Sequence, residues 1–185
     1  LKTVFFVNTG AEANENAIKL ALRITGRSEI VALEGSFHGR TAAAGAVTWG
    51  AARKWYGFPQ APFEVEFLPR GDLAAVARVV DNATAAVIVE PVQGVGGALD
   101  LGGPFLSALR QRCTDICALF VCDEVQCGMG RTGYPFAANM HGIAPDMTHS
   151  HTCRFGVFVR QLHQLLAAFL VELGNAQADR LAFRR

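Results

Sequence analysis

Short apolar runs alternate along this chain with segments of helical period. Apolar runs rich in β-branched and aromatic residues are typical of strands that are buried on both faces of a parallel sheet. We expect such strands at Val4–Val7, Glu29–Leu33, Val65–Leu68, Ala85–Glu90 and Ala118–Cys122. Strands that alternate with helices at this spacing predict an α/β fold, with a mostly parallel sheet covered by helices.

The segments between the strands carry helix signals. Thr9 and Glu12 have the spacing of a capping box, apolar residues recur with helical period as far as Ile24, and Gly26 follows as a stop. We expect further helices at Thr41–Val47, at Asp72–Val80 and on the face marked by Phe105, Leu106, Leu109 and Cys113. The segment Trp49–Pro62 is aromatic-rich and is expected to be irregular.

Polar residues follow the carboxyl ends of four predicted strands, at Thr9, Phe37, Glu90 and Asp123. These ends meet at one edge of a parallel sheet, where ligands of open α/β sheets bind. An Asp at the end of a dry strand can hold a cationic group, and the free N–H groups of a capped helix can hold a phosphate. The alternatives are an ordinary surface acid and a well-capped helix that binds nothing.

Composition restricts the function classes. The chain has 185 residues, 51% apolar and 18% charged, and a net charge of +1. These values do not favour a role in nucleic-acid or membrane-surface binding. We find no apolar run of membrane-spanning length and no signal-peptide layout at the start, so we expect a cytoplasmic protein.

The reactive side chains add one unusual count. Five cysteines are an odd number in largely apolar segments, which favours reduced thiols over a disulfide framework. The spacings of the cysteines fit no zinc signature. His149, His151 and Cys153 lie close together and could bind a metal, but three ligands in an unpatterned tail are weak evidence, and we expect no metal site. There are fourteen arginines but only three lysines, Lys2, Lys19 and Lys54.

Five ordered motifs carry a family resemblance. They are NTGAEANE at residues 8–15, FHGRT at 37–41, EPVQG at 90–94, DEVQ at 123–126 with GMGRTG at 128–133, and APDM at 144–147. With these motifs, residues 3–148 resemble the class III aminotransferases that depend on pyridoxal phosphate, and among them the acetylornithine and ornithine aminotransferases.

The resemblance implies a role for six residues. Gly10 and Ala11 would present backbone N–H groups to the cofactor phosphate, and Phe37 would stack on the pyridine ring. Asp123 would pair with the protonated ring nitrogen, and Gln126 would hydrogen-bond near the phenolic oxygen. In this family the residue that corresponds to Arg40 binds the carboxylate of the substrate.

The sequence also departs from the family pattern. Val95 stands where the family usually has a glutamate, and no lysine stands near Thr152, where the Schiff-base lysine is expected. We therefore divide the chain into a partial cofactor-binding large domain (1–148) and a tail (149–185) that resembles a frameshifted segment. Helical spacing predicts a helix at Gln161–Leu173 in that tail, and the sheet edge next to the tail is expected to stay unpaired.

The expected function is transamination between an acetylornithine- or ornithine-like amine and 2-oxoglutarate, as in arginine biosynthesis. The family is homodimeric. Without the lysine, we expect this chain to have no turnover, because the base that moves the substrate proton is missing. Two alternatives remain open at this point: a module that binds the cofactor or another phosphate ligand without chemistry, and a truncated product without function.

Overall fold

A computed structural model describes residues 4–150 and the backbone of residues 3, 151 and 155–159. The strands are β1 (Thr3–Phe6), β2 (Glu29–Leu33), β3 (Glu64–Leu68), β4 (Thr84–Val89), β5 (Val92–Gln93), β6 (Leu99–Asp100), β7 (Leu119–Glu124), β8 (Met147–His151) and β9 (Phe155–Val159). The helices are α1 (Gly10–Thr25), α2 (Ala42–Ala46), α3 (Leu73–Val79), α4 (Gly103–Asp115) and α5 (Ala137–Met140), with a 3₁₀ turn at Ala51–Arg53.

Seven of the strands form one sheet in the order β1-β9-β8-β7-β4-β2-β3, and β5 pairs with β6 in a small hairpin. The contacts among β3, β2, β4, β7 and β8 are all parallel, whereas β9 is antiparallel to both β8 and β1. The predicted α/β class with a mostly parallel sheet is confirmed. The helices predicted near residues 10, 42, 73 and 103 are also present.

The core lies on both faces of the sheet because side chains alternate along each strand. On one face, Ile88 of β4 and Val121 of β7 pack near Ala17 of α1. On the other face, Val87 and Phe120 belong to a cluster completed by apolar residues of α3 and α4. The central strands are therefore dry on both sides, as their continuous apolar sequence predicts.

Helix α1 follows the predicted start and stop signals. Thr9 Oγ1 accepts a hydrogen bond from Glu12 N at 3.1 Å, and Glu12 Oε2 accepts one from Thr9 N at 3.0 Å. Gly26 ends the helix with a φ of 68°. The capping box fixes the direction in which the chain leaves β1 and enters α1.

The predicted burial of the first strand is wrong. Val4, Phe5 and Phe6 are 44%, 52% and 65% exposed. Strand β1 lies at the edge of the sheet, where it pairs with β9 alone. An apolar run predicts a strand, but it does not show which neighbours cover that strand.

The expectation of an unpaired sheet edge beside β7 is also wrong. Strand β8 pairs in parallel with β7, and β9 continues the sheet beyond it, so the predicted boundary at residue 148 falls inside β8. The side chains of β8 suit this place: Thr148 Oγ1 donates to Cys122 O, and Ser150 Oγ donates to Glu124 O, each at 3.1 Å. The predicted helix at 161–173 lies outside the described residues.

The structure also bears on the cysteines and on membrane-spanning helices. Cys113, Cys117, Cys122 and Cys127 are free thiols, as predicted, and Cys153 lies outside the described residues. No helix in the described part of the chain is both long and apolar enough to cross a bilayer.

Candidate active site

A cavity of about 470 Å³ opens at the carboxyl ends of the parallel strands. All six residues singled out in the sequence line it: Gly10, Ala11, Phe37, Arg40, Asp123 and Gln126. Gly10 and Ala11 begin α1, Phe37 and Arg40 lie in the loop after β2, and Asp123 and Gln126 lie at and after the end of β7. The fold thus brings four separate chain segments to one cavity, since Glu90 at the end of β4 also lines it.

The Asp123 carboxylate accepts three hydrogen bonds. Its Oδ2 accepts hydrogen bonds from Asn14 Nδ2 and from His38 Nδ1, each at 2.8 Å. Its Oδ1 accepts one from Val125 N at 3.1 Å. His149 Nε2 lies 3.3 Å from the same Oδ1, but the two groups are not aligned well enough to form a hydrogen bond.

These contacts determine the charge of Asp123. Burial alone would raise the pKa of this carboxyl, because the charged form loses its water. The electrostatic influence of the neighbouring His149 imidazole and the hydrogen bond from His38 outweigh burial and hold the pKa of Asp123 well below its ordinary value. Of these two contacts, only the one with His38 has hydrogen-bond geometry. Asp123 is therefore a carboxylate that remains ionised although it is only 4% exposed.

The start of α1 forms a second wall of the cavity. The N–H groups of Gly10 and Ala11 belong to the first helical turn and have no acceptor within the helix. Glycine at position 10 allows close packing here, because an added Cβ would lie 2.9 Å from Cγ2 of Val125 and would force that side chain to shift. Gly39 approaches Ala11 in the same way, with the position of a Cβ only 2.7 Å from that of Ala11. The helix start, the loop after β2 and the end of β7 are thus packed against one another.

The loop after β2 carries Phe37 and Arg40. His38 is buried, whereas Phe37 is half-buried and Arg40 is exposed. Glu15 of α1 fixes the far end of this loop, because its Oε2 accepts hydrogen bonds from Ala43 N and Ala44 N at the start of α2. Within the described part of the chain, the Arg40 guanidinium has no hydrogen-bond or ion-pair partner, so it is available to an anionic ligand.

Gln126 lines both this cavity and a larger one of about 1150 Å³ that is bordered by the glycine-rich loops. The Gln126 side chain contacts Gly94 so closely that a Cβ on Gly94 would overlap Gln126 Oε1. Val95, the residue that departs from the family pattern, is 61% exposed and does not line the smaller cavity.

Sequence reasoning assigned no role to Asn14, His38 or Glu90, although all three belong to recognised motifs. Asn14 and His38 bind the Asp123 carboxylate, and Glu90 binds two loops of the cavity. A signal for Asn14 was present: a polar residue beside Ala13 and Ala17 lies on the apolar face of α1 and needs a buried partner. The proton between His38 and Asp123 must lie on Nδ1, because a carboxylate can only accept.

The remaining candidates lie outside the cavity. Lys19 is exposed on α1 next to Glu15, and Lys54 is exposed near the ring of Tyr56. Thr152, near which the family lysine is expected, and Cys153 lie outside the described residues. Among the residues that are described, no group of His, Cys, Asp and Glu has the arrangement of a metal site.

Comparisons with known proteins identify the family of this chain. A sequence profile of the family described as "Aminotransferase class-III" matches residues 2–153. The acetylornithine aminotransferase of Methanothermobacter thermautotrophicus is 47% identical over 147 residues, which cover 78% of this chain and 37% of that protein. The acetylornithine aminotransferase of Methanopyrus kandleri is 46% identical over 147 residues, covering 80% of this chain and 38% of the relative.

Solved structures show the same relationship. The ornithine aminotransferase of Toxoplasma gondii, whose active site is partially occupied by PLP in one crystal structure, superposes with a TM-score of 0.75 at 26% identity. The match covers 86% of this chain and 42% of that one. The chain belongs to the class III aminotransferases, and it spans less than two fifths of the length of the two curated relatives.

Proposed function

We propose that this chain is the cofactor-binding part of an aminotransferase that uses pyridoxal 5'-phosphate (PLP) to move an amino group between an acetylornithine-like amine and 2-oxoglutarate. The observation that carries the proposal is the Asp123 carboxylate, which is buried, ionised and placed in the wall of the cavity. The 47% identity to an acetylornithine aminotransferase supports this choice of amine.

The residues of the cavity fit the chemical groups of PLP. Asp123 offers a negative charge for a protonated ring nitrogen, and Phe37 offers a half-buried aromatic ring for a planar one. The N-terminal turn of α1 offers the N–H groups of Gly10 and Ala11 to a phosphate, where the helix dipole also favours an anion. The cavity volume of about 470 Å³ lies in the range of small-molecule sites.

Each side chain would then have a defined task. Bound PLP supplies an electron-poor ring that stabilises negative charge on the substrate carbon. Asp123 would keep the proton on the ring nitrogen, and Asn14 and His38 hold Asp123 in place through their hydrogen bonds. Gln126 would orient the ring through its phenolic oxygen. Arg40 would bind the substrate carboxylate, for which two parallel hydrogen bonds from a guanidinium are suited.

For the chain as written, we propose binding without turnover. Its three lysines are Lys2, Lys19 and Lys54, and none of them lines the described cavity. The specific observation in favour of this second function, a PLP-binding module without chemistry, is the absence of any lysine near position 152. A group that both anchors the cofactor and moves the substrate proton is then missing.

Two parallel measurements test the proposal. Equilibrium dialysis should show saturable binding of PLP, with one site per chain. A glutamate assay with acetylornithine, 2-oxoglutarate and PLP should show no turnover above that of free PLP. Absence of saturable binding would contradict the assignment of the cavity, and glutamate formation well above the PLP control would contradict the proposed lack of turnover.

A further inference from the structure

Glu90 follows strand β4 and is almost completely buried, with 2% exposure. Its two carboxylate oxygens accept hydrogen bonds from two different loops. Oε1 accepts from Phe37 N at 2.8 Å, and Oε2 accepts from Gly94 N at 3.2 Å. One carboxylate therefore joins the loop after β2 to the glycine-rich loop between β5 and β6.

Each of these loops supports a side chain that lines the cavity. The first bond is made by the backbone N–H of Phe37 itself. The second hydrogen bond is donated by the backbone N–H of Gly94, a residue that the side chain of Gln126 contacts closely. The position of Glu90 thus fixes the backbone behind Phe37 and, through Gly94, the surface that holds Gln126.

We propose that Glu90 is a positioning residue that sets the distance between Phe37 and Gln126 across the cavity. The inference rests on the proposed function in one respect, namely that PLP is the ligand bound between these two side chains. Glu90 acts through the two loops, since both of its oxygens are already used by backbone N–H groups.

The two bonds explain why a carboxylate is needed. Phe37 N and Gly94 N approach different oxygens of Glu90, and both oxygens of a carboxylate can accept a hydrogen bond. Glutamine has the same shape but only one such oxygen, and its amide N–H₂ would face one of the two donors. Burial raises the pKa of Glu90, and the nearby His38 and the two amide bonds offset part of this cost. A Glu90→Gln variant should therefore release one of the two loops.

Glu124 supplies a matched control. It is also a buried glutamate that accepts hydrogen bonds from two backbone groups, in its case Ala137 N and Ala138 N. Glu124 lies on the face of the sheet opposite to Asp123 and does not line the cavity. A Glu124→Gln variant makes the same chemical change in a similar environment without touching the ligand-binding loops.

The first part of the experiment needs no ligand. Residue-resolved amide hydrogen exchange is measured for the parent chain, E90Q and E124Q. E90Q should lose protection at Phe37 N or Gly94 N, whereas E124Q should lose it at residues 137 and 138 alone. Unchanged protection at both Phe37 and Gly94 in E90Q would overturn the proposal.

The second part measures the dissociation constant of PLP in a double-mutant cycle. E90Q is combined with F37L and, separately, with Q126A, because both substitutions keep the backbone N–H groups that Glu90 binds. E90Q should weaken PLP binding about tenfold in the parent chain. If E90Q releases the loop of Phe37, its effect should be much smaller in F37L; if it releases the loop of Gly94, its effect should be much smaller in Q126A. An equal penalty in all three backgrounds would overturn the positioning role.

The two parts also separate this inference from the proposed function. If E90Q frees one of the two amides but the parent chain binds no PLP, the bridge between the loops is supported and the proposed function fails. If PLP binds to the parent and E90Q changes neither amide exchange nor affinity, the proposed function stands and the role of Glu90 is refuted.

Discussion

Two adjacent carboxylates at the end of β7 have opposite surroundings. Asp123 lies on the α1 face of the sheet, where side chains of Asn14 and His38 bind it beside the cavity. Glu124 lies on the other face, where its oxygens accept the N–H groups of Ala137 and Ala138 at the start of α5. Strand alternation places the two neighbours on different sides of the sheet.

The difference in partners reverses the effect on protonation. Burial would raise the pKa of Asp123, but its imidazole partners lower it well below the ordinary value. Burial raises the pKa of Glu124, and the two amide bonds offset that only in part. Asp123 thus stays ionised beside the cavity, whereas Glu124 holds the start of α5 on the opposite face of the sheet. We therefore expect only Asp123 to bind a ligand.

The largest expected effect is on ligand affinity. Asp123→Asn should weaken PLP binding by about 100- to 1000-fold, because it removes a buried charge opposite the ring nitrogen. The matched control is Asp146→Asn: Asp146 binds Phe120 N and Arg110 at the amino end of β7, away from the cavity. Equilibrium dialysis should show unchanged PLP affinity for this control. Equal losses in both variants would mean that the cavity has no special need for Asp123.

Glu124→Gln should affect stability alone. Gln cannot accept both N–H groups at the start of α5, and an unsatisfied buried group costs about 1–3 kcal/mol in the free energy of unfolding. Urea denaturation measures this loss, and dialysis should give the parent's PLP affinity. A variant that keeps its stability but loses PLP binding would reverse the roles we assign to the two faces.

The pH dependence of the two stability penalties should have opposite signs. The pKa of Asp123 is lower in the folded chain than its ordinary value of 3.8, so this carboxylate stabilises the fold when the pH is above 3.8. That stabilisation is lost as the pH falls below 3.8 towards the lowered pKa. The loss of unfolding free energy caused by D123N should therefore shrink on acidification. The pKa of Glu124 is higher in the folded chain than its ordinary value of 4.5, so this group stabilises the fold when the pH is below 4.5. That stabilisation is lost as the pH rises through the raised pKa. The loss of unfolding free energy caused by E124Q should therefore shrink towards neutral pH. Urea denaturation of D123N, E124Q and the parent is measured from acidic to neutral pH. If the two variants' losses of unfolding free energy changed in the same direction with pH, the contrast between Asp123 and Glu124 would be contradicted.

The smallest expected effect comes from Gly94→Ala. The new Cβ displaces the Gln126 side chain, whose exposed end can move, so we expect a stability loss below about 1 kcal/mol. Affinity for PLP should fall by a factor of a few, since Gln126 leaves its place at the cavity. Gly103→Ala at the start of α4 is the control, because its Cβ would make only ordinary contacts. Titration of PLP against both variants tests the role of Gln126.

Much of the fold could be predicted because its signals are local. The capping box of Thr9 and Glu12, the stop at Gly26 and the apolar run of β2 all act within a few residues. The six cavity residues were predicted from motifs, and strand ends on one sheet edge explain why they meet. Their individual roles remain predictions.

The errors concern contacts between distant segments. The apolar residues of β1 predicted a strand but not its place at the sheet edge, and the polar residues of β8 concealed a strand whose partners lie in β7. The bridge made by Glu90 joins residues 53 positions apart and has no local signal. Such contacts depend on the packing of the whole sheet, which no short pattern encodes.

The central claim is that Asp123 holds a proton on the ring nitrogen of PLP. The most direct test is nitrogen NMR of PLP labelled with ¹⁵N in the ring, bound to the parent chain and to D123N, at a pH where free PLP is unprotonated at that atom. We predict the chemical shift of a protonated pyridine nitrogen in the parent and that of an unprotonated one in D123N. An unprotonated signal in the parent, or the same signal in both proteins, would contradict the account.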